Sequence, residues 1–308
     1  METSRRFVRL LLLQGLALLL FLPAHLTRAE SELEKALRQY SFEAVKGYVQ
    51  PVADLFGANM NSGFSQSAAI PASGFHMSFK IIGMGSLVSD DQKTYDIVLP
   101  AGFGLAPGTT LKTATVFGDK GTLFTDAATG FSYRGSDGIV NTSVFPLAVP
   151  QLTIGSLYGT EASVRFITIP EIGSGDFPKT TLWGVGGRHS ISQYIQDAPL
   201  DIAVGVMYGK FTVGDMIDLS AVTFGAQASK EFSVLILYTG IQSEKSTMNL
   251  KYTSTDPTAP PAVDIDLDGA NSVRFTLGLG LNLGIFKIFG DANFGSVRTF
   301  SAGFGFGG

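Results

Sequence analysis

Residues 272–284 read "SVRFTLGLGLNLG" and decide the fold. Val273, Phe275, Leu277, Leu279, Leu281 and Leu283 share one parity; Arg274, Thr276, Gly278, Gly280, Asn282 and Gly284 share the other. Successive side chains of a strand point to opposite faces, so this period of two predicts a strand with one wholly apolar face. Six such positions need about 10 residues, the length of a tilted transmembrane strand. A water-soluble sandwich would place charge on its wet face. Here the second face is small and weakly polar, the pattern of a membrane barrel with lipid outside and small or polar groups inside. Glycine on the concave side leaves room for strong curvature.

The same rhythm recurs outward from that stretch. In "GFHMSFKIIG" (74–83), Phe75, Met77, Phe79 and Ile81 oppose His76, Ser78 and Lys80. In "DIAVGVMYGKF" (201–211), Ile202, Val204, Val206 and Tyr208 oppose Asp201, Ala203, Gly205 and Gly209. In "MNLKYTS" (248–254), Met248, Leu250 and Tyr252 oppose Asn249, Lys251 and Thr253. The closing "TFSAGFGFGG" (299–308) presents Phe300, Phe304 and Phe306 on one side. Candidate strands cover 62–70, 74–88, 150–158, 159–168, 179–190, 200–211, 219–228, 231–242, 246–254, 262–268, 271–284, 285–293 and 296–306, with at least one more in 109–146. Because single-chain bacterial barrels favour even strand numbers, the expectation is an all-β, closed antiparallel transmembrane β-barrel of about 14 strands, with about 12 as the alternative. With the C-terminus on the periplasmic side, Ser229-Lys230 becomes a periplasmic turn and 171–179 and 212–219 become external loops. Residues 89–148 exceed a plain turn and read as an extra hairpin, a lumen plug or an external loop.

Composition narrows the function classes. Only 16% of the 308 residues are charged, against roughly 25% in soluble domains. The absence of cysteine excludes disulfides, thiolate nucleophiles and cysteine metal sites. A formal charge of −4 and no basic cluster argue against nucleic-acid binding. Arg5, Arg6 and Arg9 precede an apolar run from Leu10 to Leu22, broken by Pro23, so residues 1–29 read as a cleaved signal peptide. Cleavage would delete four Arg and one Glu and move the formal charge from −4 to −7. No later run of about 18 apolar residues follows, leaving a secreted β-protein or a membrane barrel. Residues 30–60 read as a periplasmic helix or plug segment. Leu33, Leu37, Tyr40 and Val45 lie near helical spacing, Ser31 and Glu34 resemble a capping box, and Pro51 is expected to bend or end the helix. Residues 61–308 form the expected barrel.

Charged residues within the strand pattern are the candidate functional residues. A charge facing lipid costs about 2–4 kcal/mol at the midplane. Lys80, Glu161, Arg165, Arg188, His189, Lys251 and Arg274 are therefore assigned to the lumen or strand ends, as a selective constriction or as ion pairs that fill the interior. Phe275, Leu277, Leu279, Leu281, Phe300, Phe304 and Phe306 are assigned to lipid. "DIDLDGANSVRF" (264–275) imitates the first half of a calcium loop, but Phe275 stands where a bidentate Glu is required. No metal or cofactor is expected. His189 and Ser190 are adjacent on a strand and diverge, so no nucleophile–base pair forms there and no enzyme is expected. "GSGDFPKTT" and "GIQSEKST" lack the glycine that precedes lysine in phosphate loops and read as turns.

"PQLTIGSLYGTEASVRFITIPEI" (150–172), "LWGVGGRHSISQYI" (182–195), "YVQPVADLFGANMNSGF" (48–64) and "SKEFSVLILYTG" (229–240) resemble an uncharacterised, Bacteroidota-type family of bacterial outer-membrane β-barrel proteins, defined as a domain of unknown function. The helix-then-barrel layout is also similar to that of long-chain fatty-acid transporter barrels. The family resemblance implies a barrel in a Gram-negative-type bacterium and supplies no substrate; the fold class itself leads to an expected outer-membrane location, with membrane lipids, an unidentified small-molecule solute and the barrel-assembly machinery as partners. The expected function is a channel or transporter for small molecules, hydrophobic ones included. The alternative is a non-conducting structural or adhesion barrel whose external loops bind a partner.

Overall fold

The computed structural model describes residues 42–308 apart from 65, 99–109, 126–129, 131, 141, 172–177, 254–261 and 308. The expected signal peptide and the capping box at Ser31 lie outside the described residues. A helix, α1 (Phe42–Met60), precedes strands β1 (His76–Leu87), β2 (Thr94–Val98), β3 (Thr110–Ala114), β4 (Leu123–Thr125), β5 (Ser132–Arg134), β6 (Val144–Leu157), β7 (Thr160–Ile169) and β8 (Thr180–Ser190). Then follow β9 (Asp201–Val213), β10 (Ile217–Phe232), β11 (Leu235–Thr253), β12 (Ala262–Asp268), β13 (Val273–Leu283), β14 (Phe286–Phe294) and β15 (Thr299–Gly307).

Ten strands close into an antiparallel barrel in the order β1, β6, β7, β8, β9, β10, β11, β13, β14, β15, with β15 returning to β1. The expected number, about 14 with 12 as the alternative, is corrected to ten for four reasons. The strand expected in 109–146 does not enter the wall, because β3, β4 and β5 there belong to two small hairpins. Residues 62–70 are not a strand. The stretches read as 231–242 and 246–254 are one strand, β11. The 262–268 strand, β12, pairs with the far half of β11 and stays outside the closure. Short turns at Tyr158-Gly159, Ser233-Val234 and Gly284-Ile285 mark one end of the barrel. The first is a two-residue hairpin in which Tyr158 and Gly159 both have positive φ, matching the strand twist. The turn read at Ser229-Lys230 falls instead at Ser233-Val234, because β10 stays paired to Phe232. The opposite, long-loop end carries the 213–217 turn and the region between β1 and β6. There β2–β3 and β4–β5 form two small hairpins.

The alternation read from the sequence sorts onto the two faces of the closed sheet. On β13 the residues from Val273 to Leu283 alternate exposed and inward, with Phe275 44% and Leu279 56% exposed while Arg274 is 1% exposed. Phe300, Phe304 and Phe306 lie on the same outer surface, as do Leu277 and Leu281. The apolar core sits toward the long-loop end. Val45, Tyr48, Val49, Leu55 and Phe56 of α1 pack with Leu219, Met248, Leu250, Ile265 and Leu267 of the projecting strands and with Phe117 of the cap. Pro51, expected to bend or end the helix, does not end it: α1 continues to Met60. The Tyr95 ring of β2 lies against Gly47, where any Cβ would overlap it.

Candidate functional site

The interior of the barrel is filled by the chain's own N-terminal segment. From the long-loop end α1 descends into the lumen and stops at Met60. Gly63, with φ +61, then turns the chain where a side chain would strike Ile82 and Ser301. Residues 64 and 66–70 continue down the wall and lead into β1 at the short-turn end. The stretch 62–70 looked like a strand because Phe64, Gln66, Ala68 and Ile70 alternate with small residues. Its backbone is instead held by side chains of the wall.

Every carbonyl of the last helical turn is satisfied, as burial demands. Gly57 accepts from the Asn61 N–H (3.3 Å) and Asn59 from the Ser62 N–H (2.9 Å). Ala58 accepts from Ser62 Oγ (2.7 Å) and from Arg274 Nη2 (2.7 Å). Met60 accepts from Arg165 Nη1 (3.4 Å), whose guanidinium also donates to the carbonyls of Ser62 (3.0 Å) and Gly63 (2.6 Å) and to Gln151 Oε1 (2.9 Å). Two guanidiniums thus meet the negative end of the helix dipole inside the barrel. Further down, Arg188 and Gln227 both donate to the Ser67 carbonyl (2.6 and 2.8 Å), Ser229 Oγ accepts from the Ala68 N–H (2.8 Å), and Lys80 donates to Gln66 Oε1 (2.7 Å). Ser86 donates to the Leu55 carbonyl (2.8 Å), and Ser62 pairs with Thr299 Oγ1 (2.8 Å).

Two interior arginines are paired with carboxylates, while Lys80, Arg165 and Asp291 bond to neutral groups. Arg274 Nη2 lies 3.0 Å from Glu244, both side chains being 1% exposed. Glu161 binds Arg188 through two of its nitrogens and His76 Nε2 at 3.2 Å. Asp291 accepts from Tyr238 (3.0 Å), Asn293 (2.6 Å) and Ser301.

The candidate residues divide accordingly. Lys80, Glu161, Arg165, Arg188 and Arg274 point inward, where they clamp the plug or one another. Glu161 and Arg165 share a face of β7 but have different partners. Two candidates lie at strand ends rather than in the lumen. His189 has outward parity on β8 and sits at the short-turn rim, bonded to Thr160 Oγ1 (2.8 Å) and the Tyr194 hydroxyl (3.0 Å). Lys251 lies on the projecting half of β11, 58% exposed and 3.8 Å from Asp264; it is above the lumen because β11 outruns the barrel. The calcium-like stretch runs from the end of β12 through residues 269–272 into β13, with Asn249 donating to both Asp264 and Asp266 at 2.8 Å. The plug acceptors Ser62, Gln66 and Ser67 and the inward Glu244 and Asp291 escaped the sequence reading. A polar residue at an inward position of an otherwise small-residue face is the signal that marks the last two.

These features define a class: a closed β-barrel of the outer-membrane type, apolar outside and plugged within. The chain belongs to the family of unknown function DUF6588, whose profile matches residues 7–308. No curated protein matches it in sequence. Among solved structures it is similar to a Pseudomonas aeruginosa FadL homologue, at 9% identity and TM-score 0.28, covering 85% of this chain and 96% of the other. It is also similar to a mutant of the Rhodopseudomonas blastica porin, at 11% identity and TM-score 0.13, covering 75% of this chain and all of the porin.

Proposed function

We propose that the protein is an outer-membrane barrel that passes small apolar molecules and holds its lumen shut at rest. The short-turn end faces the periplasm and the long-loop end faces outward, following the usual asymmetry of such barrels. One observation carries this reading: the polar groups of the inner wall are spent on a segment of the same chain. Three arginines donate to plug backbone carbonyls rather than facing an open path. A straight ion-conducting pore is incompatible with that filling, whereas the part of the plug beyond α1 is held by exchangeable hydrogen bonds and can be displaced.

Purified protein in planar bilayers is expected to be silent, and the Arg165→Ala/Arg274→Ala double variant to open in bursts. Cells displaying the protein are expected to admit the apolar fluorophore N-phenyl-1-naphthylamine severalfold faster than cells without it. Unchanged entry together with a silent double variant would reject the transport reading.

The alternative, a non-conducting barrel that presents a binding head, has its own support. The far halves of β9–β11 together with β12 build a projecting sheet with a polar outer face, packed on α1. Loss of a surface partner on deleting β12, with no effect on fluorophore entry, would favour that reading.

A further inference from the structure

The inserted segment has a direction. β1 starts at the short-turn end, where His76 pairs with Gly155, and β15 ends there, where Gly307 pairs with Ser78. Ten strands are an even number, so the wall returns the chain to the end from which it set out. α1 starts at the opposite end. The Ala58 carbonyl accepts from Arg274, and the Asn59 amide donates to the Phe145 carbonyl (2.7 Å). Arg274 is level with Gln242 and Ser243, where the outward residues of β11 change from Ile241 to Lys245. Going back along the helix, every contact lies higher. The Ala53 carbonyl lies over Gly269, and Gln50 donates to the Asp268 carbonyl (2.7 Å) of the projecting sheet. The Tyr48 carbonyl accepts from the Val116 N–H (3.1 Å), and its hydroxyl donates to the Asp137 carbonyl (2.8 Å), both in the cap. At about 1.5 Å of rise per residue, Phe42 stands roughly 24 Å beyond Ala58.

The way back is closed. Arg165, Arg188 and Arg274 hold the segment from the wall side. Two cavities remain beside it, one lined by Phe64, Thr223 and Gln242 and one by Met60, Met84 and Met207. Each holds about 10 Å³, room for roughly one water, so a second pass of backbone fits in neither. Outside the wall, a backbone crossing hydrocarbon without a ladder partner would leave its N–H and C=O groups unpaired.

We propose that the inserted segment is an eleventh crossing of the membrane, made through the lumen, and that the chain preceding Phe42 is presented at the outer surface while Gly307 faces the periplasm. This rests on the orientation that the transport reading adopts, with the short turns in the periplasm, but not on transport itself. The protein then offers an end of its own chain, and not only loops, to macromolecules outside the cell. One unbroken helix joins that end to the carbonyls held by Arg165 and Arg274.

The chain has no cysteine, so a single introduced thiol reports its own side of the membrane. Lys35→Cys marks the preceding chain, Asp215→Cys the long-loop end and Ser233→Cys the short-turn end. The probe is a polyethylene-glycol maleimide too large to cross the outer membrane, applied to intact cells and read as a gel shift. The heat-modifiable band confirms that each variant is folded. Lys35→Cys and Asp215→Cys are expected to shift in intact cells, and Ser233→Cys only after permeabilisation. Lys35→Cys protected while Asp215→Cys is labelled overturns the proposal with the orientation intact. Ser233→Cys labelled in place of Asp215→Cys overturns the orientation and the proposal with it. An epitope inserted after Gln39 is the second variant: antibody binding to intact cells is expected severalfold above that to cells carrying the epitope after Gly308, and equal or absent binding counts against the proposal. Fluorophore entry measured on the same cells separates a failure of transport from a failure of display.

Discussion

The two halves of β11 obey opposite rules. Below, Leu235, Leu237 and Ile241 point outward, while Tyr238, Gln242 and Glu244 point inward. Above, Lys245, Thr247, Asn249 and Lys251 point outward, while Met248 and Leu250 are buried against α1. One continuous strand reverses its hydrophobic side near Ser243. β10 does the same, with Val222 and Phe224 outward below and Asp218 outward above, 2.9 Å from Lys210. The backbone ladder between β10 and β11 runs through the change without a break. Geometry therefore does not set which face is oily; the surrounding medium does. On the proposed membrane reading, the lower half suits hydrocarbon outside and the upper half water outside with a protein core within.

Five substitutions test that contrast, from the largest expected effect to the smallest. Arg274→Ala, at the level where the faces change, leaves Glu244 buried without its partner. The expected loss is about 3–5 kcal/mol, read as a lower urea midpoint for loss of the heat-modifiable band. Leu250→Ala empties part of the upper core and is expected to cost about 2–5 kcal/mol. It should appear as faster trypsin cleavage of the projecting strands while the barrel band persists; equal loss of both would show that the halves are one cooperative unit. Leu277→Arg places a charge in the lower outer band and is expected to cost about 2–4 kcal/mol of folding into vesicles, against about 0.5 kcal/mol or less for Thr247→Arg above. Equal costs would erase the proposed water boundary. Lys251→Ala removes only an exposed pair with Asp264 and is expected to change stability by no more than about 1 kcal/mol, less in high salt.

Much of the wall was legible from the sequence because alternation is local: the faces of β1, β9, β13 and β15 follow from parity alone. Three features were not legible, for physical reasons. Residues 62–70 alternate like a strand, yet they lack a ladder partner and find their hydrogen bonds in Arg188, Gln227, Ser229 and Lys80, long-range contacts that parity does not encode. "QSEKS" within β11 is polar on both parities and reads as a turn, although it marks a change of solvent rather than of direction. Inward charges were identifiable as inward, but not their acceptors: Arg165 and Arg274 bind backbone carbonyls, which every residue carries.

The plug is joined to its own container. Residues 71–75, ending with Gly74 at φ +90 and Phe75, connect the end of the inserted segment straight to the first residue of β1. A displaced plug therefore stays at millimolar local concentration of its socket. Reclosure is unimolecular, its rate independent of how much protein the membrane holds, and the stopper is never lost to the surroundings.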